Sequence, residues 1–212
     1  MIYVITHKLF DDKSFCKDGY KVLHVGNNNN AKSDYLRDDV GDNIAEKNPH
    51  FCELTGMYWI WKNAKEAPED IVGLVHYRRG FTSKKENLIY SLGGKIPQNI
   101  ELVQTKDLLK TYDMIVPVPE KGFKTVYQTY TKMHHREDLD LTREAISEEC
   151  PEYISDFDKA MNDHFYFNGN MFITRKKEFD AYASWLFSVY DRLEEKIDLS
   201  KYEDTYQARV YG

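Results

Sequence analysis

Apolar residues in this chain fall into short runs divided by polar and glycine-bearing stretches. Ile2 to Thr6 is β-rich and reads as a central strand followed by a loop at Thr6-His7-Lys8. Tyr20 to Val25 reads as a second strand, ended by Gly26 and by Asn27 to Asn30, which read as a flexible loop. Asp38 to Ile44 is a further polar turn. Asn48 can cap a helix with Pro49 at its first position. Phe51, Leu54, Thr55, Tyr58, Trp59 and Trp61 follow at near-helical spacing, so an aromatic helix is predicted over 49–64. Pro68-Glu69-Asp70 stops it before a strand at Ile71 to Val75.

Residues 82–100 carry charges, two glycines and a proline, and read as a long surface excursion. Thr105 is positioned to cap a short helix reaching Lys110. Tyr112 to Pro117 reads as a strand ended by Pro117 and Pro119, since a central strand tolerates proline only at its end. Residues 120–140 are polar, and helices are predicted over 141–149 and 151–163. Phe165 to Thr174 reads as a strand whose Asn168-Gly169-Asn170 turn lets something approach the backbone. Lys177 to Ile197 has helical periodicity through Phe179, Tyr182, Leu186, Val189, Tyr190 and Leu193. Strands interleaved with helices, without a repeat or a linker, predict one α/β domain over 1–212.

Composition narrows the function classes. The 212 residues carry a net charge of −6, which argues against a broad nucleic-acid surface but leaves room for a local basic pocket. Aromatic residues make up 14%. They fit a tyrosine-rich core, or a cleft in which rings stack on sugars or bases. Cys16, Cys52 and Cys150 are odd in number and form no CxxC pair, so neither a disulfide scaffold nor structural zinc is expected. Cys52 reads as a small buried hydrophobe rather than a nucleophile. The start has no signal-peptide pattern, and no apolar run approaches the roughly 20 residues of a membrane span. A cytoplasmic location is the expectation.

The most pointed stretch is Gly73-Leu74-Val75-His76-Tyr77-Arg78-Arg79-Gly80, where an apolar run ends in a histidine, a tyrosine and two arginines. Open α/β sheets bind ligands beyond the carboxyl ends of their strands, and guanidinium groups there suit a phosphorylated anion. His7, Lys8 and Arg209 are further candidate cations. Both arginines can face one ligand only if the strand has already ended, because strand neighbours point to opposite faces. Neither a Walker loop nor a GxGxxG follows a strand. Many nucleotide-sugar transferases hold a divalent cation with Asp-x-Asp after a central strand. Asp138-Leu139-Asp140 and Asp156-Phe157-Asp158 have that spacing, but neither follows an apolar strand. Fixed cations can stabilise a departing diphosphate without metal. Acid–base candidates are Asp138 and His134 in the His-His-Arg-Glu-Asp stretch, and Asp163 beside His164.

Several blocks occur together in a specific order. They are Tyr3-Val4-Ile5-Thr6-His7-Lys8, Gly41-Asp42-Asn43-Ile44 with Lys47-Asn48, and Glu53-Leu54-Thr55-Gly56-Met57-Tyr58-Trp59-Ile60-Trp61-Lys62-Asn63. Next come Gly73 to Arg79, Asp113-Met114-Ile115-Val116-Pro117, Asn168-Gly169-Asn170-Met171-Phe172-Ile173, Trp185-Leu186-Phe187 and Gln207-Ala208-Arg209-Val210-Tyr211-Gly212. In these the chain resembles a family of bacterial glycosyltransferases encoded in capsule, exopolysaccharide and O-antigen clusters, long described as a domain of unknown function.

The resemblance implies a Rossmann-like, GT-A-type nucleotide-sugar fold with a mostly parallel central sheet flanked by helices. It implies UDP-galactofuranose as donor, a lipid-linked oligosaccharide as acceptor, and peripheral contact with the inner membrane face. No cofactor or divalent metal is expected. Thr6, His7 and Lys8 would contact the nucleotide, Asp42, Asn43 and Lys47 its base or ribose, and His76, Arg78 and Arg79 the diphosphate, with Arg209 a further donor-binding cation. Asn168, Asn170 and Tyr127 would face the acceptor, with Tyr130 and Lys132 beside them, and Asp163, Asp138 or His134 would act as base. Family members continue past the Arg-x-x-Gly block with a short helix, so the expectation is a domain that lacks a short C-terminal segment. Two rival readings are a non-catalytic carbohydrate- or nucleotide-sugar-binding protein and a metal-dependent phosphoesterase or nucleotidyltransferase.

Overall fold

The computed structural model describes residues 1–93, 99–167 and 169–212. Its strands are β1 (Ile2–Thr6), β2 (Tyr20–His24), β3 (Leu36–Arg37), β4 (Ile71–His76), β5 (Met114–Ile115), β6 (Glu120–Lys121), β7 (Phe165–Tyr166) and β8 (Phe172–Arg175). The helices are α1 (Asp12–Phe15), α2 (Asn48–Phe51), α3 (Leu54–Asn63), α4 (Lys84–Ser91), α5 (Leu102–Leu108), α6 (Val126–Tyr130), α7 (Arg136–Glu149), α8 (Ile154–Asn162) and α9 (Lys176–Glu194). None of them is long and apolar enough to cross a membrane.

Six strands form a central sheet in the order β3-β2-β1-β4-β8-β5. β1 pairs in parallel with β2 and β4, and β2 with β3, while β8 runs antiparallel to both β4 and β5. The sheet is therefore mostly parallel, and both its faces are covered. Residues of β1 alternate between two cores. Tyr3 and Ile5 meet Phe51, Leu54, Met57 and Ile60 of α2 and α3 together with Phe179, Ala183 and Phe187 of α9. Ile2 and Val4 meet Ile71, Val75, Phe81, Leu109 and Ile173 on the opposite face. Full burial of a side chain such as Leu54 or Ile60 contributes about 1.5–3 kcal/mol relative to exposure. α3 approaches the sheet closely because Gly56 has no side chain there. A Cβ at that position would lie 2.7 Å from Ile5 Cδ1 and 3.0 Å from Val25 Cγ1.

Several elements depart from the sequence pattern for identifiable reasons. The helix expected over 49–64 is broken at Cys52, whose φ of 50° and ψ of −126° lie where glycine is ordinarily found. Asn48 does not cap it. Its side-chain amide instead grips Cys52 O at 2.7 Å and Thr55 Oγ1 at 3.0 Å across the break. Thr105 is buried inside α5, which is capped by Glu101 and Gln104 in a reciprocal pair. The excursion at 82–100 contains α4, and the strand expected over 112–117 is reduced to two residues.

The polar stretch over 120–140 holds β6 and α6, and its end belongs to α7, which starts at Arg136 with the acidic pair Glu137 and Asp138 in its first turn. The strand expected over 165–174 is divided into β7 and β8. Asn27 to Asn30 do not form a loose loop. Asn28 is buried, bonded to His24 Nδ1 at 3.0 Å and to Gly26 O at 2.7 Å. Asp38 in the next polar turn is fully buried.

Candidate active site

The β1 to β2 connection, residues 7–19, packs Phe10, Phe15 and Cys16 on the Ile2 and Val4 face. α2 and α3, which lead to β4, cover the other face. The chain thus leaves β1 in one direction and returns beside it in the other, which opens a crevice at the carboxyl ends of β1 and β4. A cavity of about 490 Å³ lies there, lined by Thr6, His7, Asn27, Asn48, Cys52, Glu53, His76, Tyr77, Arg78 and Arg209, with Ile5, Val25 and Pro49.

β4 ends in a tight turn. His76 N donates to Arg79 O at 3.1 Å and Arg79 N to His76 O at 2.9 Å. The strand has stopped before the arginines, so strand alternation no longer governs where they point. Arg78 lines the cavity and lies 5.0 Å from the Tyr77 ring centre. Lys8 lies 5.5 Å from the same ring, and His7 packs edge-on against it at 5.5 Å. Arg79 sits on the other side of the turn, its guanidinium beside Gly169.

Arg209 arrives from the opposite end of the sequence. Tyr211 stacks on Phe51 at 4.2 Å, and the Tyr190 hydroxyl donates to Tyr211 O at 2.9 Å. His50 Nδ1 lies 2.8 Å from Ala208 O. These contacts pin the C-terminal segment along α2 and carry Arg209 to the cavity.

The cavity holds more fixed cations than anions although the chain as a whole is acidic, and a low-dielectric cleft focuses such a field on an anionic ligand. Burial lowers the pKa of His7, and the charges of Lys8 and Arg78 lower it further. Burial also holds His76 below the ordinary histidine value; Glu53 opposes the shift, and Arg79 and Arg78 add to it. Burial and the neighbouring Glu53 push the Cys52 thiol up, so it stays protonated and is a poor nucleophile.

The other residues singled out by sequence lie elsewhere. Asp42 accepts from Tyr58, Asn43 bonds locally to Gly41 and Ala45, and Lys47 pairs with Glu194 at 2.6 Å; none of the three lines the cavity. Asn170 is close to it, donating to Glu53 Oε1 at 2.9 Å. Asn168 lies outside the described residues.

The acid–base candidates are also displaced. Asp138 is buried on α7, its carboxylate accepting from the Tyr130 hydroxyl at 3.1 Å and from Tyr202. His134 is stacked between Tyr130 and Tyr206, at 4.7 and 5.1 Å. Asp163 is exposed at the end of α8 and accepts from the amides of His164 and Phe165. Tyr127 bonds to Asp140 at 3.2 Å beside a separate pocket of about 320 Å³ between α6, α7 and α8, and Lys132 is exposed. Of the Asp-x-Asp residues, Asp138 and Asp140 lie on α7, and Asp156 and Asp158 on α8, where Asp158 pairs with Arg143 at 2.7 Å.

Glu53, Asn27, Asn48 and Tyr77 are cavity residues that the sequence reading did not single out for the site. The available signal was the place of Asn48, Glu53 and Tyr77 inside three of the recognised blocks and of Asn27 soon after a strand. The break at Cys52, which turns Glu53 toward the cavity, leaves no local mark.

The family described as "Domain of unknown function (DUF4422)" matches residues 1–212. The apo structure of WbbM, described as a bifunctional glycosyltransferase, superposes with a TM-score of 0.79 at 29% identity over all of this chain. The chain spans 40% of the WbbM chain. No match arises among curated proteins.

Proposed function

From the membership of this chain, along its whole length, in the DUF4422 family, we propose that it is a glycosyltransferase that takes its sugar from a nucleotide diphosphate donor. The observation that carries this reading is the cavity beyond β1 and β4, where Arg78, beside the Tyr77 ring, and Arg209 converge from remote parts of the sequence. Guanidinium groups bind phosphate oxygens through charge-assisted hydrogen bonds. The same charge would stabilise the diphosphate as it leaves the sugar. The likeness to WbbM supports the same class of chemistry.

The finer proposals on donor and acceptor follow from the sequence blocks, and that on the diphosphate from the cations at the cavity. The donor is UDP-galactofuranose, and the acceptor is a lipid-linked oligosaccharide met at the inner membrane face. Arg78, Arg209, His7 and Lys8 take the diphosphate, so transfer needs no divalent metal.

A thermal-shift screen of UDP, GDP, CMP and dTDP sugars tests the donor class, since a ligand that binds only the folded state raises Tm by mass action. UDP sugars should raise Tm, and UDP should be released from its sugar at an unchanged rate in excess EDTA. Absence of any shift and of any release refutes the glycosyltransferase reading. Strict metal dependence refutes the replacement of metal by arginine.

A further inference from the structure

Glu53 occupies the residue before α3, where a side chain ordinarily turns back to satisfy the first free amides of the helix. It makes no such bond. Its Oε1 instead accepts from Asn170 Nδ2 at 2.9 Å and lies 3.7 Å from His76 Nε2. Glu53 and His76 are both largely buried, with side chains 18% and 21% exposed. Among the described residues that line the cavity, Glu53 is the carboxylate.

The backbone that aims it is unusual. Among the described residues other than glycine, Cys52 is the one with positive φ. Asn48 Nδ2 donates to its carbonyl at 2.7 Å and holds the distortion, with the Thr55 hydroxyl 3.2 Å from the same oxygen. Gly212 packs against the same residue, since a Cβ there would lie 2.7 Å from Cys52 Cβ. Backbone distortion of this kind gathers at functional sites. Glu53 itself has helical backbone angles, so it is the distortion at Cys52 that separates it from α2 and sets its direction toward Asn170 and His76.

We propose that Glu53 is the catalytic base of the transfer, an inference that rests on the glycosyltransferase reading. Its carboxylate takes the proton of the acceptor hydroxyl. The hydroxyl oxygen uses its electron pair to bond to the anomeric carbon of the donor sugar. The bond from that carbon to the diphosphate breaks, and its electron pair leaves on the diphosphate beside Arg78 and Arg209. Glu53 ends protonated, and the negative charge it held has passed to the departing diphosphate.

The surroundings suit the role. The N-terminal end of α3 favours a negative charge. The groups facing Glu53 are His76, Arg78 and Arg79 around the β4 turn, Arg209 from the C-terminal segment, Cys52, and Tyr190 of α9. Burial disfavours the charged form of His76, so the carboxylate stands 3.7 Å from it without a tight ion pair. Asn170 is a positioning residue whose hydrogen bond to Oε1 fixes the direction of the carboxylate.

The experiment measures UDP affinity by calorimetry, and nucleotide release with water as acceptor from the same panel of UDP, GDP, CMP and dTDP sugars. Glu53→Gln should bind UDP within about threefold of wild type yet release nucleotide about 100-fold more slowly or worse, without the acid limb of the rate–pH profile. Glu53→Asp, which retains a carboxylate, should recover about tenfold over Glu53→Gln and keep the limb. Asn170→Ala should slow nucleotide release about tenfold at saturating sugar nucleotide with UDP affinity unchanged; a purely structural role would weaken UDP binding as well. Release by Glu53→Gln within about threefold of an active wild type overturns the assignment while the glycosyltransferase reading stands. A wild-type protein that releases nucleotide from none of the panel overturns both. If Glu53→Gln does not fold, an acid limb absent from Glu53→Asp and from wild type overturns the assignment.

Discussion

Replacing Asp38 with alanine should cost about 3 kcal/mol of stability, because it removes the acceptor at the centre of a buried network under the cavity wall. Asp38 is fully buried. Its oxygens accept from the Gly26 amide at 3.1 and 3.2 Å, from Asn28 Nδ2 at 3.1 Å and from Thr55 Oγ1 at 2.7 Å. A buried donor left without a partner costs about 1–3 kcal/mol. Asn28 keeps Gly26 O at 2.7 Å and Thr55 keeps Cys52 O at 3.2 Å, so these two losses fall at the low end. The Gly26 amide retains nothing comparable.

At about 2–4 °C per kcal/mol for a domain of this size, Tm should fall by about 6–12 °C. Urea unfolding followed by far-UV circular dichroism should show the midpoint shifting at constant m. A loss below about 1 kcal/mol would refute the network as a major stabiliser. Burial raises the Asp38 carboxyl pKa, although its hydrogen bonds from Thr55, Asn28 and Gly26 oppose the shift. A carboxyl raised on folding contributes stability below its ordinary value and loses it as pH rises through the raised one. The gap between wild type and Asp38→Ala should therefore be widest in acid and narrow as pH rises through the raised value. A gap that widens with rising pH would show that burial does not dominate.

Arg78→Ala and Arg209→Ala should each weaken UDP binding about tenfold or more, about 1.4 kcal/mol by calorimetry, and unchanged affinity in both would remove the diphosphate from this cavity. His7, held below its ordinary pKa by burial, Lys8 and Arg78, is neutral near pH 7 and gains its proton as pH falls. UDP affinity should therefore tighten as pH drops below the ordinary histidine value, and His7→Gln should flatten that slope; equal or tighter binding by wild type at alkaline pH contradicts the placement of His7 beside the phosphates.

Much of the fold is legible locally. The runs at Ile2 to Thr6, Tyr20 to Val25 and Ile71 to Val75 become β1, β2 and β4 with small boundary changes, because strands buried on both faces need unbroken apolar runs. The periodicity of α9 is equally plain. The asparagine run misleads because composition marks a loop, while His24 and Asp38, distant along the chain or buried beside it, give Asn28 its partners. Asp138 misleads in the same way. Its charge suggests a solvated loop, yet Tyr130 and Tyr202 converge on it and allow it to be buried.

Strand periodicity and the residues at strand ends are enough to place a cationic site after β4 and to put Thr6, His7, His76 and Arg78 at it, because both depend on neighbours a few positions apart. The arrival of Arg209, the distortion at Cys52 and the pairing of Glu53 with Asn170 depend on contacts between segments far apart in sequence. Such contacts arise only when α2, the β4 turn and the C-terminal segment are packed together. The carboxylate that faces the arginines is a consequence of tertiary packing, while the strand end that presents His76 and Arg78 is written in the local order of residues.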